Sequence, residues 1–271
     1  MTGPCESVAD LGHALRQART TLAKAAEDIG LSLMSRGTPV KPSLRPIVSR
    51  DRPRFQRVLD TYAGVVEHYE ACGCHVHVGV PDRDTGVRVL NHVRPWLPTL
   101  LALSANSPDH GYASWRVVEQ SRFPGSGVPP VFLDADDYDA HVARMVACGT
   151  LVDRAQSFWL ARLSPKLPTV EFRVADAAAT VEDAMPQVAL SRALVHTACL
   201  GGEPPPVRDD VCAAAVWAAS RYGLDGPGVD PWRACRVPAT ALLGRLLEHV
   251  TPALADRGEL ALVHDLVDQR V

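Results

Sequence analysis

Aromatic residues make up only 6% of the 271 positions, so Val, Leu and Ala must fill most of any core. No apolar run approaches the roughly 20 residues that a membrane-crossing helix needs. The start, Met1 to Asp10, has neither a basic n-region nor an apolar h-region, and no signal peptide is expected. There is no basic stripe either: 28 Lys and Arg stand against 31 Asp and Glu, for a net charge of −3. Nucleic acid is therefore not an expected partner, because phosphate neutralisation takes clustered cations. The 7 cysteines are odd in number and lack framework spacing, which reads as reduced thiols in a cytoplasmic protein. Also missing are a phosphate-cradling Gly-Lys-Ser/Thr loop, a dinucleotide Gly-x-Gly-x-x-Gly motif and a nucleophile elbow.

What is present is ordinary for a globular enzyme: 46% hydrophobic and 22% charged residues exclude a disordered chain. Ser7-Val8-Ala9-Asp10 reads as a capping box opening a helix, with an apolar stripe from Val8 to Ile29 and Gly30 as the stop. Leu31 to Met34 is a strand candidate, and the Pro- and Arg-rich stretch Pro39 to Pro53 is a loop. Helical period returns over Pro53 to Glu70. A strand over Cys72 to Val80 ends at Pro81-Asp82, and Thr85 to Ser107 reads as a helix kinked or split around Pro95 and Pro98. Asp109 to Pro130, rich in Gly, Pro, Ser and Arg, reads as a long loop, of a length that is usually either functional or disordered. A helix runs from Asp134 to near Gly149, strands cover Ser157 to Leu163 and Thr169 to Ala175, and Thr180 with Asp183 caps a helix to Leu200. Gly201 to Val207 reads as a linker. Beyond it only helices are expected, over Asp209 to Tyr222, Pro238 to Val250 and Glu259 to Arg270. Helices and strands without strict βαβ alternation imply an α+β fold with a mostly antiparallel sheet. One domain spans 1–271, with the helical C-terminal segment 209–271 packed on its sheet.

The densest chemistry lies in Cys72-Gly73-Cys74-His75-Val76-His77-Val78-Gly79-Val80. Two thiols and two imidazoles first suggest zinc. Strand alternation, however, puts Cys72, Cys74, Val76 and Val78 on one face and His75 and His77 on the other, so the four cannot converge on one ion. The cysteines travel with valines as small buried hydrophobes. The histidines should face an open cleft, beside Gly79, which has no side chain to block a ligand. Taken alone, a His-x-His pair is more often a pair of surface histidines than a site. In Thr169-Val170-Glu171-Phe172-Arg173-Val174-Ala175-Asp176 the same alternation turns Thr169, Glu171 and Arg173 outward. By itself that is a solvated strand face. Beside two histidines, a carboxylate makes an oxygen/nitrogen site for a hard divalent cation, and the planar arginine fork suits phosphate. Arg116 and Arg122 sit in the Gly/Pro-rich stretch, where arginines clamp carboxylates or phosphates as often as they merely solubilise.

These segments, with Arg94-Pro95-Trp96-Leu97-Pro98, Leu103-Ser104-Ala105-Asn106-Ser107-Pro108, Gly111-Tyr112-Ala113-Ser114 and Ser121-Arg122-Phe123-Pro124, resemble signatures of the bacterial type-2 glutamate–cysteine ligase-like (carboxylate–amine ligase) family. The resemblance covers nearly the whole chain, with its motifs in family order. It implies a glutamine synthetase-like curved, mostly antiparallel sheet with flanking helices. It implies ATP and Mg2+ as cofactors, with His75 and Glu171 as metal ligands and His77 as a nucleotide contact. Arg173 would neutralise the γ-phosphoryl group in flight, and Arg122 and Arg116 would hold phosphate or substrate carboxylate. The implied reaction joins a glutamate-like acid to an amine through an acyl phosphate. The family's opening glutamate-bearing strands have no counterpart here, so this reading takes the remaining carboxylates from a second chain or an upstream start, and it allows a homo-oligomer. Two other readings stay open: a non-catalytic or partner-complemented binding module derived from that family, and a metal-dependent hydrolase built on His75, His77 and Glu171.

Overall fold

The computed structural model describes residues 2–41, 52–201 and 206–270. Most of the expected Pro39 to Pro53 loop and residues 202–205 of the expected linker lie outside them.

Helix α1 (Val8–Glu27) starts where the capping signal puts it: the Ser7 side chain accepts from the Asp10 backbone N–H. Its stripe is only half used. Val8 is buried, whereas Leu22 and Ile29 face solvent. Leu31 to Met34 forms no strand, because the segment finds no ladder partner, and Leu31, Leu33 and Met34 stay exposed. The expected helix over Pro53 to Glu70 is two pieces, α2 (Pro53–Tyr62) and α3 (Gly64–Glu67). Ala63 breaks it with φ 45° and ψ −131°, a conformation that no helix contains.

Strand β1 (Gly73–Gly79) leads through the Asp82 cap into α4 (Arg83–Val93), a 3-10 turn over Arg94–Trp96, and α5 (Leu97–Ser104). The break falls at Pro95 and Pro98, as expected. The stretch read as one long loop instead holds α6 (Trp115–Gln120), capped by Ser114, and β2 (Ser126–Gly127). Six residues of helix are too few to show a period. Then come α7 (Ala135–Ala147), β3 (Phe158–Trp159), β4 (Ala161–Leu163), β5 (Thr169–Asp176) and α8 (Val181–Leu200). The Thr180–Asp183 capping box opens α8 with both of its reciprocal hydrogen bonds. The C-terminal segment is not all helical. Between α9 (Asp209–Tyr222) and α10 (Ala239–Asp256) stands a hairpin, β6 (Pro227–Asp230) with β7 (Cys235–Pro238), and α11 (Leu260–Asp268) follows. Four-residue strands are too short for alternation to announce them.

The principal sheet has the order β1-β5-β4 and is antiparallel throughout. One face carries Val76, Ala161, Leu163, Val170, Phe172 and Val174, all buried against α4, α5 and α8. Helix α8 has no polar face because it lies in the middle, with Ala189, Leu190, Ser191 and Leu194 fully enclosed. The C-terminal helices pack on α5 and α8 rather than on the sheet. A single buried cluster nevertheless runs from Val8 to Val267. The other face of the sheet is open only in part: His75 and His77 are exposed, whereas Glu171 is buried.

Candidate active site

That open face is set by the register of β1 on β5. His77 stands opposite Glu171, and Gly79 opposite Thr169. Cys74 pairs with Ala175 but Val76 pairs with Phe172, so β5 carries one extra residue opposite His75, a bulge. On the far side of β5, Arg162 of β4 stands opposite Glu171. A row of His77, Glu171 and Arg162 therefore crosses the sheet, with His75 and Arg173 beside it. Val76 is buried and both histidines are exposed, as the alternation requires. Cys74 is half-buried against the core, but Cys72 is exposed, because it lies before the first ladder residue and escapes the alternation.

Glu171 is the centre. Its side chain is only 5% exposed, and both oxygens are engaged. Oε1 accepts from Arg173 Nη1 at 2.6 Å and lies 3.2 Å from His75 Nδ1; Oε2 accepts from Arg162 Nε at 2.8 Å. Burial pushes this carboxyl's pKa up, but hydrogen bonds from His75 and Arg162 and the charges of Arg162 and Arg173 outweigh it. Glu171 is held well below the usual carboxylate range, hence ionised. Two guanidinium groups thus face one carboxylate, and the face is left with an excess of positive charge. Arg173 keeps a donor in hand, since its buried Nε has no partner. His77 Nδ1 lies 2.9 Å from the Thr169 hydroxyl, and burial pushes its pKa down, which favours the neutral imidazole.

The other two arginines part company. Arg122 is more than a third exposed and pairs with Glu119 one turn earlier. It shares a neighbourhood with Arg173 through Tyr69, whose buried phenol feels the charges of Arg116, Arg173, Glu119 and Arg122. Arg116 is enclosed. Its Nε donates to Asp176 at 2.7 Å, Nη1 to Gln120 at 2.9 Å and Nη2 to the Val174 carbonyl at 2.6 Å. Its donors are spent on the protein. Asp176, fully buried, also accepts from the Ser107 and Ser114 hydroxyls and the Asn106 backbone N–H.

Two members of the site were missed from sequence. Arg162 alternates between inward Ala161 and Leu163, so the period placed it outward, but nothing local tied it to Glu171. Tyr69 shares one face of the helical period over Pro53 to Glu70 with Phe55, Leu59, Tyr62 and Val66, which gives no sign of the site.

The donor set does not suit a divalent cation. His75 spends Nδ1 on Glu171, so its remaining ring nitrogen, Nε2, points away from that carboxylate. An ion bound by both would have to part the 3.2 Å His75–Glu171 contact and compete with the two arginines that meet Glu171. Among the described residues no group of three His, Cys, Asp or Glu side chains is placed to hold a metal. What the residues fit is an anion.

The family model described as glutamate-cysteine ligase family 2 (GCS2) matches residues 1–271. A relative in Saccharopolyspora erythraea, provisionally named glutamate–cysteine ligase 2-2, is 54% identical over 97% of this chain and 70% of its own length. Another, in Nocardia farcinica and provisionally named glutamate–cysteine ligase 2-1, is 42% identical over 93% of this chain and 68% of its own. Among solved structures, the Pup ligase PafA of the prokaryotic ubiquitin-like modification pathway, in complex with ADP, matches with TM-score 0.54 and 14% identity. It covers 99% of this chain, which in turn spans about half of that one, at 55%. Likeness at that identity concerns the fold, which is the glutamine synthetase-like α+β arrangement expected from the sequence. The chain belongs to glutamate–cysteine ligase family 2.

Proposed function

We propose that this chain carries the phosphate-handling part of an ATP-dependent carboxylate–amine ligase, joining a glutamate-like acid to an amine. One observation carries the reading. In a member of this family, the His75/His77 strand and the Glu171/Arg173 strand lie side by side, polar faces together, with Arg162 completing the row. The ADP in the PafA structure and the names of the relatives support a nucleotide and an amino-acid substrate.

The reaction has two steps. A substrate carboxylate oxygen attacks the γ-phosphorus of ATP, forming an acyl phosphate and releasing ADP. The amine then attacks the carbonyl carbon, the C–O bond breaks, inorganic phosphate leaves, the amine gives up a proton to that phosphate or to solvent, and an amide remains. Neither step asks the protein for a nucleophile. What it asks for is charge neutralisation and alignment. Arg173, with a free Nε donor, meets the phosphoryl oxygens. Arg162 adds a second positive charge, and Glu171 holds both guanidinium groups in place. His77, favoured neutral, contacts the nucleotide without adding charge repulsion or attraction. Arg122, at the exposed margin, takes the substrate carboxylate. Arg116 works at one remove, by fixing the end of β5 through Asp176. Carboxylates from a second chain would add metal ligands that this face lacks.

The test is phosphate release from Mg-ATP by the pure chain, with acid and amine supplied singly and together, and mass spectrometry of the product. Release that needs both, with an amide of matching mass, is the expected outcome. Hydrolysis indifferent to both would refute the reading.

A further inference from the structure

The geometry points to Glu171 as a counter-ion that pins Arg162 and Arg173 into a paired anion site, which takes polyphosphate directly and holds no divalent cation of its own. The inference rests on the ligase reading for its ligand, a nucleotide polyphosphate, and departs from it on how the phosphates are held.

Three observations carry it. First, three of the roughly four lone-pair directions of Glu171 are taken: Arg173 and His75 meet Oε1 and Arg162 meets Oε2, which leaves one on Oε2. A cation bound at Oε1, or across both oxygens, does so only by displacing charge-assisted hydrogen bonds, which are among the strong ones, and one at Oε2 alone sits beside two guanidinium charges. Second, the pair is built rather than incidental. Arg162 is 11% and Arg173 18% exposed, and Arg162 is fixed at its other end by the Ala155 carbonyl at 2.7 Å. Two guanidinium groups held this way lose little freedom when an anion arrives. Third, the pair is incomplete. Arg173 Nε is buried and bonded to nothing, an omission rare in native structures, and an oxyanion would satisfy it. The charges add up the same way: two cations and one anion attract phosphate and repel a bare metal ion. Magnesium would then arrive on the nucleotide, shared with the phosphates, instead of waiting on the protein.

The proposal is tested on the whole chain with two probes. Calorimetric titration with tripolyphosphate and with ATP, both in excess EDTA, should show binding within about tenfold of that in Mg2+, weakening as salt rises. Manganese titrated alone and followed by electron paramagnetic resonance should show no one-to-one site. Arg162→Gln removes one of the two positive charges and should weaken tripolyphosphate at least about tenfold, while Arg162→Lys keeps the charge and loses less. Circular dichroism checks that the variants fold, and the unmutated chain decides the matter if they do not. Manganese binding one-to-one without anion and lost in Glu171→Gln would overturn the inference, as would anions that bind only with metal. In either case amide formation from Mg-ATP could persist, leaving the ligase reading intact. Failure of ATP and tripolyphosphate to bind under any condition would sink both.

Discussion

Replacing Asp176 by alanine should destabilise the protein more than any change on the open face. Asp176 has no exposed surface and accepts four hydrogen bonds, from Arg116, Ser107, Ser114 and the Asn106 backbone. Alanine leaves all four donors unmet and, worse, leaves the enclosed Arg116 guanidinium without its counter-ion. Breaking a buried pair from one side costs about 3–5 kcal/mol, against a total stability on the order of 5–15 kcal/mol. At roughly 2–4 °C per kcal/mol for a chain near this size, the midpoint of thermal unfolding should fall by about 6–20 °C. Urea unfolding followed by circular dichroism measures the loss directly, with an unchanged m-value as the sign that stability alone moved. The cause is checked by a double-mutant cycle. Arg116→Met in the Asp176→Ala background removes the stranded charge and should recover part of the loss. A cost below about 1 kcal/mol, or a double variant no better than the single, would refute the reasoning and return Arg116 to the pool of ligand-binding arginines.

Other expectations follow from the same geometry. Arg173→Gln should slow acid- and amine-dependent phosphate release by about 10²–10³, the usual cost of losing one preorganised donor, with thermal unfolding little changed. Glu171 has a folded-state pKa below its unfolded value near 4.3. Its contribution to stability is therefore complete above that value and lost as pH falls below it. The urea midpoint should drop more steeply below about pH 5 for the unmutated chain than for Glu171→Gln. Ala63→Gly relieves a left-handed backbone (φ 45°) and should add about 1 kcal/mol in urea unfolding, after glycine's entropy cost in the unfolded chain.

The parts of the fold that could be read from sequence are those decided within a few residues. Short acceptor side chains at Ser7, Asp134 and Thr180 each bond a backbone N–H three positions on, so those helix starts were visible, while the same cap at Asp82 was taken only for the end of the strand. The two faces of β1 were visible for the same reason: alternation is local. What escaped depends on distant partners. Leu31 to Met34 has the composition of a strand and no neighbour to pair with. The β6–β7 hairpin is stabilised through its packing against α9 and α10. Arg116 looks like any arginine on a polar loop until Asp176, 60 residues away, is brought against it. Arg162 was equally opaque, since its meaning comes from facing Glu171 across a ladder.

The Asp176 knot also says something about the order in which the protein assembles. Its partners Asn106, Ser107, Ser114 and Arg116 lie 60 to 70 residues back along the chain. The packing of β5 on β1 and α5 closes loops at least as long and bears the entropy cost of closing them, so the four bonds are expected to form late, on a sheet already gathered by helices α4, α5 and α8. Asp176→Asn should then leave the refolding rate nearly unchanged and show its whole effect as faster unfolding. The knot acts as a latch that sets how long the folded chain lasts.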